Sequence, residues 1–486
     1  SIIYMIRFSY SGVFCMILQE RFGGRRTMHL KISDMDMLHG SLAGKLLLFT
    51  LPIALSSMVQ QLFNAADTAV AGHFGSANAL AAVGTNTEII ALIVTVSSGL
   101  SIGANVLIAK HVGRNEAEKL PAAVQTAMRL SMCIGVIGLL LGQIAAAPLL
   151  RLIRTPEEIF DAAALYLRIY MLGYPFLLLY DFGAACLRAR GDSRYPFLAL
   201  LLSGFANVGL NLLFTAGLRM GVAGVAIATD LSTILSAFLV LRRLAKDAVF
   251  RFALLGQRSA RNGVWSILKT GIPSAVRGAV FCFANIFVQA SVNRFGADAI
   301  AGSTIAMNFE YMTYYIITAF AQAATTFTSQ NHAAGEFWRC RRILRLCLGL
   351  SLLCSTVPFF AIVLFRDTLS GLFTPNAAVI QSAGVRILCM LLFEPLCNLY
   401  EIPAGVLRGS GHALYPALST MVGTCAFRIA WIYTVFRAKP TLPMLYHAFP
   451  LSWAATIVLT ALGLLALRPF VPGSEHPHTT ARSRRV

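Results

Sequence analysis

Residues 180–197 read YDFGAACLRARGDSRYPF, and residues 400–417 read YEIPAGVLRGSGHALYPA. Tyr180, Leu187, Arg188, Gly191, Tyr195 and Pro196 recur as Tyr400, Leu407, Arg408, Gly411, Tyr415 and Pro416, 220 residues later. Asp181 and Glu401 also align, as acids. Working outward, residues 51–75 match residues 272–296, with Pro52, Ala54, Val59, Asn64, Ala69, Phe74 and Gly75 recurring. Thr155-Pro156 returns as Thr374-Pro375. Separate segments repeating at nearly one offset, in a chain of 486 residues, define two related halves.

The solvent of these halves follows from composition. Hydrophobic residues make up 57% of the chain and charged residues 13%, against about 25% charged in a soluble domain. Apolar runs long enough to cross a bilayer alternate with short polar loops. Twelve spans fit, at 46–73, 78–109, 122–148, 159–187, 195–218, 221–241, 264–293, 298–329, 343–365, 377–407, 414–436 and 446–467. Pro52, Pro175, Pro273 and Pro395 fall inside spans and predict kinks. The expected fold is an all-α membrane protein of twelve transmembrane helices, in two six-helix lobes related by a parallel internal repeat. The expected divisions are an extension at 1–40, lobes at 41–246 and 263–468, a basic linker at 247–262 and a tail at 469–486, with the extension and tail disordered. A start at Met28, Met35 or Met37 would leave part of the extension out. Duplicated bundles of this kind form transporters whose halves rock around a central site.

Basic residues orient the chain. With the N-terminus inside, the outer loops hold only Arg151, Arg154, Arg219, Arg294, Arg366, Arg437 and Lys439. Arg242, Arg243, Lys246, Arg251, Arg258, Arg261 and Lys269 crowd the single inner loop after span 6. Both termini are therefore expected in the cytoplasm, with the protein multi-pass in the plasma membrane. The formal net charge of +19 then reads as contact with anionic lipid rather than nucleic acid. The ten cysteines include no C-x-x-C pair. Cys340, Cys347 and Cys354, seven apart, read as a packing stripe rather than a metal site. There is no nucleophile–base pair, metal spacing or phosphate loop, so neither an enzyme nor an ATP-driven pump is indicated, and no cofactor is expected.

An acid at mid-bilayer costs about 2.5–3.5 kcal/mol on insertion scales, so each one needs a reason. Asp67, Glu88, Asp181, Asp230, Glu310, Glu394 and Glu401 are the candidate acids, with Arg277, Arg386 and Arg428 as candidate bases. The repeat sorts them. Asp181 and Glu401 are kept in both halves and read as braces for the loop that follows each. Asp67 has Val288 as its counterpart, so it breaks the symmetry and is the better functional candidate. Counting depth along spans 1, 5 and 6 brings Asn207, Asn211, Thr229 and Asp230 to its level. A carboxyl group among amides and hydroxyls can be hydrogen-bonded when protonated and can hold a cation when ionised. That is the chemistry of a proton or sodium site. The plainer reading of Asn207 and Thr229 is bonding between helices.

In the second half Glu310, Glu394 and Arg428 fall toward mid-span. The plainer expectation is a structural ion pair such as Glu394 with Arg428; the sharper one is a lining for a charged substrate. Met307 and Tyr311 sit with Phe309, Met312, Tyr314 and Tyr315 in a stretch suited to flat aromatic cations.

Three segments carry a resemblance over residues 41–468: Asp67-Thr68-Ala69-Val70-Ala71-Gly72, Leu407-Arg408-Gly409-Ser410-Gly411, and Gly221-Val222-Ala223-Gly224-Val225-Ala226-Ile227-Ala228-Thr229. With the repeat and the spans, they resemble the multidrug and toxic compound extrusion family. The resemblance implies a V-shaped cavity between lobes and export of small organic compounds in exchange for an ion, with a monomer as the expected state. Asp67 matches the family's acid in the first span, and Asn207, Asn211 and Thr229 resemble the network around it, where Asn211 is often an acid. Sodium-coupled members often carry acids at the places of Phe281 and Cys397. Both departures point to the branch resembling DNA-damage-inducible exporters, with protons preferred and sodium at Asp67 as the alternative. The second reading is a flippase of a lipid-linked sugar or cell-wall precursor, which would need Arg277, Arg386 and Arg428 to converge.

Overall fold

The computed structural model describes residues 35–74, 77–153, 155–246 and 261–471. Most of the expected extension, linker and tail lies outside these residues. The main helices are α1 (Leu42–Phe74), α2 (Ala77–Gly113), α3 (Leu120–Leu152), α4 (Glu157–Leu172), α5 (Tyr174–Ala189), α6 (Arg194–Asn211) and α7 (Gly221–Lys246) in the first lobe. The second lobe contains α8 (Arg261–Val292), α9 (Ala297–Ala333), α10 (Phe337–Leu364), α11 (Ala377–Cys389), α12 (Cys397–Gly409), α13 (Leu414–Thr420) and α14 (Ala448–Leu467). Helix is the dominant backbone solution because lipid offers no hydrogen-bond partners.

Ten helical stretches, and the pair α4–α5 bent by 45°, are each long and apolar enough to cross a membrane. The twelfth span is α9, 37 residues long. It is less apolar because it faces protein along much of its length. Thr313, Thr325, Thr326, Thr328, Ser329, Gln330 and Asn331 are all buried there.

The proline expectations divide. Span 4 breaks at Gly173, just before Pro175, and span 10 passes through a 3₁₀ turn, Leu391–Leu396, at Pro395. α1 and α8 contain Pro52 and Pro273 without interruption of the helix. A π-helical turn, Leu212–Gly217, follows Asn211, and another, Ile432–Phe436, stands at the equivalent place in the second lobe. The bulge is therefore a feature of the repeated scaffold.

The lobes touch at one end. Small residues let α2 and α8 approach closely. A Cβ on Gly99 would lie 2.5 Å from Ala275 Cα, and one on Gly103 2.0 Å from the Ile267 carbonyl oxygen. Further along, Thr326 Oγ1 donates to Asn105 Oδ1 (3.0 Å), Ser329 to the Val106 carbonyl (3.0 Å) and Gln330 Nε2 to the Ala189 carbonyl (2.7 Å). All lie toward the C-terminal ends of α2 and α9, which marks the closed end of the bundle.

α1 belongs to both lobes. Leu46, Phe49 and Ile53 pack with Phe320, Phe327, Ile343 and Ile402 of the second lobe. Phe49 meets Phe327 edge-to-face at 5.4 Å. Phe63, further along α1, meets Phe205 of α6 at 5.8 Å. The last residues of the expected extension are packed rather than loose. Met37 is buried in the same cluster as Phe49, and its carbonyl accepts from Asn331 Nδ2 (3.1 Å) and Arg339 Nη2 (3.3 Å).

Candidate functional site: a buried carboxyl network in the first lobe

α1 and α6 come together because position 204 has no side chain. A Cβ there would lie 1.7 Å from the Phe63 ring. One turn beyond this contact Asp67 meets the amide side chains of α6. Asn211 Nδ2 donates to Asp67 Oδ1 at 2.5 Å and to Asn207 Oδ1 at 3.2 Å. Thr229 of α7 donates to Asp67 Oδ2 at 3.4 Å, and its Oγ1 lies 3.0 Å from the Val225 carbonyl. Asn207 Nδ2 closes the ring on Thr229 Oγ1 at 3.5 Å. Asp67 is 9% exposed and Asn211 fully buried.

Two features give this cluster its chemistry. Its partners are neutral, and no ion pair to Asp67 occurs among the described residues. A buried carboxylate without a cation carries a standing desolvation cost. The second feature is Asn211 Oδ1, which is buried and accepts no hydrogen bond among the described residues. A proton on Asp67 would give that oxygen a donor once the amide turned. The oxygens of Asp67, Asn207, Asn211, Thr229 and Val225 are also a hard donor set that suits sodium.

Asp230 does not join them. One helical step of 100° from Thr229 turns it to the other face of α7. There its carboxyl lies against the backbone at Gly173, the break in span 4. A Cβ at position 173 would lie 2.2 Å from Asp230 Oδ1. Tyr170, Tyr174, Leu177 and Thr233 line the small cavity beside it. The expected five-membered cluster is thus a group of four, with Asp230 at the elbow of the bent span.

Asp181 and Glu401 brace helices rather than loops. Asp181 accepts from Ser97 of α2 at 2.6 Å. Glu401 accepts from Arg277 of α8 and Tyr314 of α9, each at 2.9 Å.

The second-lobe acids pair differently from the sequence expectation. Arg386 holds Glu310 through two bonds, at 2.7 and 2.9 Å, and also donates to Ser303. Glu394 accepts from Thr313 at 3.0 Å, not from Arg428. Arg428 donates to Ser452 (3.1 Å) and Asn285 (3.1 Å) and lies over the Phe449 ring at 3.9 Å. Its Nη2 has no partner among the described residues. Arg386 also reaches Phe449, at 5.9 Å. Breaking a buried pair leaves one charge stranded, at a cost of about 3 kcal/mol or more. Arg386→Met is therefore expected to lower the unfolding temperature in detergent well below that of the wild type. Equal unfolding temperatures would show that the pair does not support the lobe.

Met307 is half-buried on α9, and Tyr311 stacks on Tyr315 at 6.3 Å. The Tyr315 hydroxyl reaches across the lobes to Gln61 Oε1 at 3.2 Å. Glu88 belongs with this region, although depth counting from Asp67 does not find it. Glu88, Leu92, Thr95, Gly99 and Gly103 form one stripe of α2 at helical spacing. Gly99 and Gly103 are packed against α8, whereas Glu88, beyond Thr95, is exposed. It is within electrostatic reach of Tyr311 and Cys282 of the second lobe. The stripe was legible in the sequence once the contact face of α2 was known.

Comparison with known proteins agrees with this architecture. The MatE family profile matches twice, at residues 52–213 and 273–434, so the second match begins 221 residues after the first. The chain is 24% identical over 424 residues to Probable multidrug resistance protein YoeA of Bacillus subtilis, covering 85% of this chain and 91% of that protein. It is 27% identical over 402 residues to Probable multidrug resistance protein NorM of Thermotoga maritima, covering 79% and 84%. A Shewanella oneidensis FAD transporter is 25% identical over 390 residues, covering 75% and 85%. Among solved structures, an outward-facing multidrug resistance MATE transporter of the MOP superfamily superposes with a TM-score of 0.83 at 21% identity, covering 93% and 100%. A MOP superfamily transporter from Pyrococcus furiosus, described by the reverse polarity of its binding pocket, superposes at 0.82 and 21%, covering 92% and 99%. With the family profile matched in both halves, the chain belongs to the MatE family, the multidrug and toxic compound extrusion transporters.

Proposed function

We propose that this protein is a monomeric secondary antiporter of the plasma membrane that exports amphipathic, cationic organic compounds and takes up protons in exchange. One observation carries the reading. Asp67, a buried carboxyl with only neutral partners, sits on a helix whose other end is anchored in the opposite lobe. Its charge state can therefore bias how the lobes are held.

The cycle follows from charge. Lys110, Arg114, Arg188 and Arg190 gather at the closed end, which by the basic-residue rule faces the cytoplasm. The cleft then opens outward. An ionised Asp67 accepts from Asn211 and Thr229 and favours a cation nearby. An external proton removes that charge and weakens the hold on the cargo, which leaves. Glu88, exposed in the cleft beside Tyr311, supplies a carboxylate and an aromatic face to an incoming cation.

Relatives named as multidrug resistance proteins support a drug cargo. The relative named for FAD, and the flippase reading, would want cations free to meet a diphosphate. Here Arg277 and Arg386 are each neutralised by an acid, which supports the cationic cargo instead. Protons are preferred to sodium because Phe281 and Cys397 stand where sodium-coupled members often have acids.

Inside-out vesicles test the coupling. Ethidium uptake should follow an acid lumen without sodium and collapse with a protonophore. An absolute sodium requirement at fixed pH would overturn proton coupling.

A further inference from the structure

The N-terminal turns of α10 carry a patch that the transport reading does not use. Trp338, Arg341, Arg342 and Arg345 stand at positions i, i+3, i+4 and i+7 and are all exposed. Arg339 is turned the other way, buried against Asn331 and the Met37 carbonyl. The exposed stripe continues along the same helix as Leu353, Val357, Phe360 and Leu364, exposed between 61% and 73%. An apolar stripe of that kind on a membrane helix faces lipid. Arg345 and Leu364 are 19 residues apart on a continuous helix, about 28 Å at 1.5 Å per residue, close to the hydrocarbon thickness of about 30 Å. The arginines therefore stand at headgroup depth in the leaflet of the closed end, with the Trp338 indole at the interface.

A second element reaches the same place. The chain leaving α14 brings the Phe470 ring to 6.0 Å from the Arg341 guanidinium. Arg468, also exposed, precedes it by two residues. No acid pairs with Arg341, Arg342, Arg345 or Arg468 among the described residues. The nearby acid Glu336 accepts from Trp338 Nε1 at 2.9 Å. Several uncompensated guanidinium groups beside a lipid-facing stripe need anions, and guanidinium forks match phosphate oxygens.

We propose that Arg341, Arg342, Arg345 and Arg468, with Trp338 and Phe470, form a binding site for the phosphate headgroup of an anionic glycerophospholipid in that leaflet. The lipid's acyl chains lie along the Leu353–Leu364 stripe while its phosphate meets the arginines. Trp338, seven residues before Arg345 and so about 10 Å further from the hydrocarbon, covers the headgroup from its aqueous side. A merely topological role for the arginines would need the charges but no preference among lipids at this position.

The test uses the full chain in nanodiscs of phosphatidylcholine containing a minor fraction of phosphatidylglycerol. Either lipid carries a nitroxide spin label, a short-range quencher, on its headgroup. The fluorescence difference between the wild type and Trp338→Phe isolates Trp338 from the other tryptophans. Spin-labelled phosphatidylglycerol should quench Trp338 several-fold more than the same mole fraction of spin-labelled phosphatidylcholine. In the variant R341Q/R342Q/R345Q the excess should disappear, a several-fold loss of preference. The variant R341K/R342K/R345K, which keeps the charge and so the membrane orientation, should retain part of it. Millimolar inorganic phosphate should not compete, because the site takes a lipid and not the free ion. Equal quenching by the two lipids in the wild type would overturn the proposal. So would full competition by inorganic phosphate. If the glutamine variant fails to insert, Arg342→Gln alone must still reduce the excess; an unchanged excess counts against the site.

Discussion

Vesicles carrying Asp67→Asn are expected to show no gradient-driven efflux above that of vesicles without the protein. The variant should still fold and insert. Asparagine keeps the shape of the carboxyl group and can still meet Asn211 and Thr229, whose bonds to Asp67 are 2.5 and 3.4 Å. It cannot carry a charge or take up a proton. Two readings separate here. If the cluster only joins helices, the amide serves nearly as well, since neutral bonds between membrane helices are worth about 0.6 kcal/mol on average. If the cluster couples an ion to the cargo, transport is lost while unfolding temperature hardly moves. Efflux from the Asp67→Asn variant at wild-type rates would falsify the assignment. Asp230→Asn is the comparison. Its carboxyl faces the break at Gly173 and not the Asp67 group, so its loss should alter the bent span without removing the dependence on the proton gradient.

A single methyl group at the closed end is expected to have an effect of similar size by a different route. In Gly103→Ala the new Cβ would sit 2.0 Å from the Ile267 carbonyl oxygen. Backbone atoms cannot rotate away as a flexible side chain can, so α2 and α8 must part. That separation should weaken the polar contacts nearby, Thr326 with Asn105 and Ser329 with the Val106 carbonyl. In the proposed cycle the outward-open arrangement depends on this closure, so transport should fall at least about tenfold, corresponding to some 1.4 kcal/mol in the balance between conformations. Gly349→Ala is the control, because nothing lies within 4 Å of a Cβ there. Cysteine pairs placed across the α2–α8 contact should cross-link readily in an otherwise wild-type background and poorly in combination with Gly103→Ala. Equal cross-linking and equal transport would remove the closed end from the account.

Much of this was legible in the chain itself. The duplication is a property of residue identity, and the family profile that matches both halves repeats the spacing seen between Pro52 and Pro273. Span positions follow from hydropathy because the bilayer leaves few choices to a backbone. Asp67 could be singled out because its counterpart is Val288, and depth counting along three helices brought Asn207, Asn211, Thr229 and Asp230 to its level. Four of those five side chains meet, and Asp230 does not.

The rest required the tertiary structure. Sequence period says which residues share a face, but not which neighbour the face meets. Asp230 is next to Thr229 in the chain and turns to Gly173 because α7 touches both α1 and the bent span. Glu310 finds Arg386 rather than leaving Glu394 to Arg428, since the rotation of α9 against α11 sets the partner. Met37 is buried because α1, α9 and α10 leave a hole at the closed end, which a local reading of residues 1–40 cannot see. Glu88 comes within reach of Tyr311 and Cys282 because α2 runs along the second lobe past the contact of Gly278 with Thr95. The chain by itself determined the duplication, the membrane and the unpaired acid in the first span, all of them set by residue type and spacing. Helix rotation, the site of closure and the pairing of charges are set by contacts between residues far apart in the chain, and only packing in three dimensions decided them.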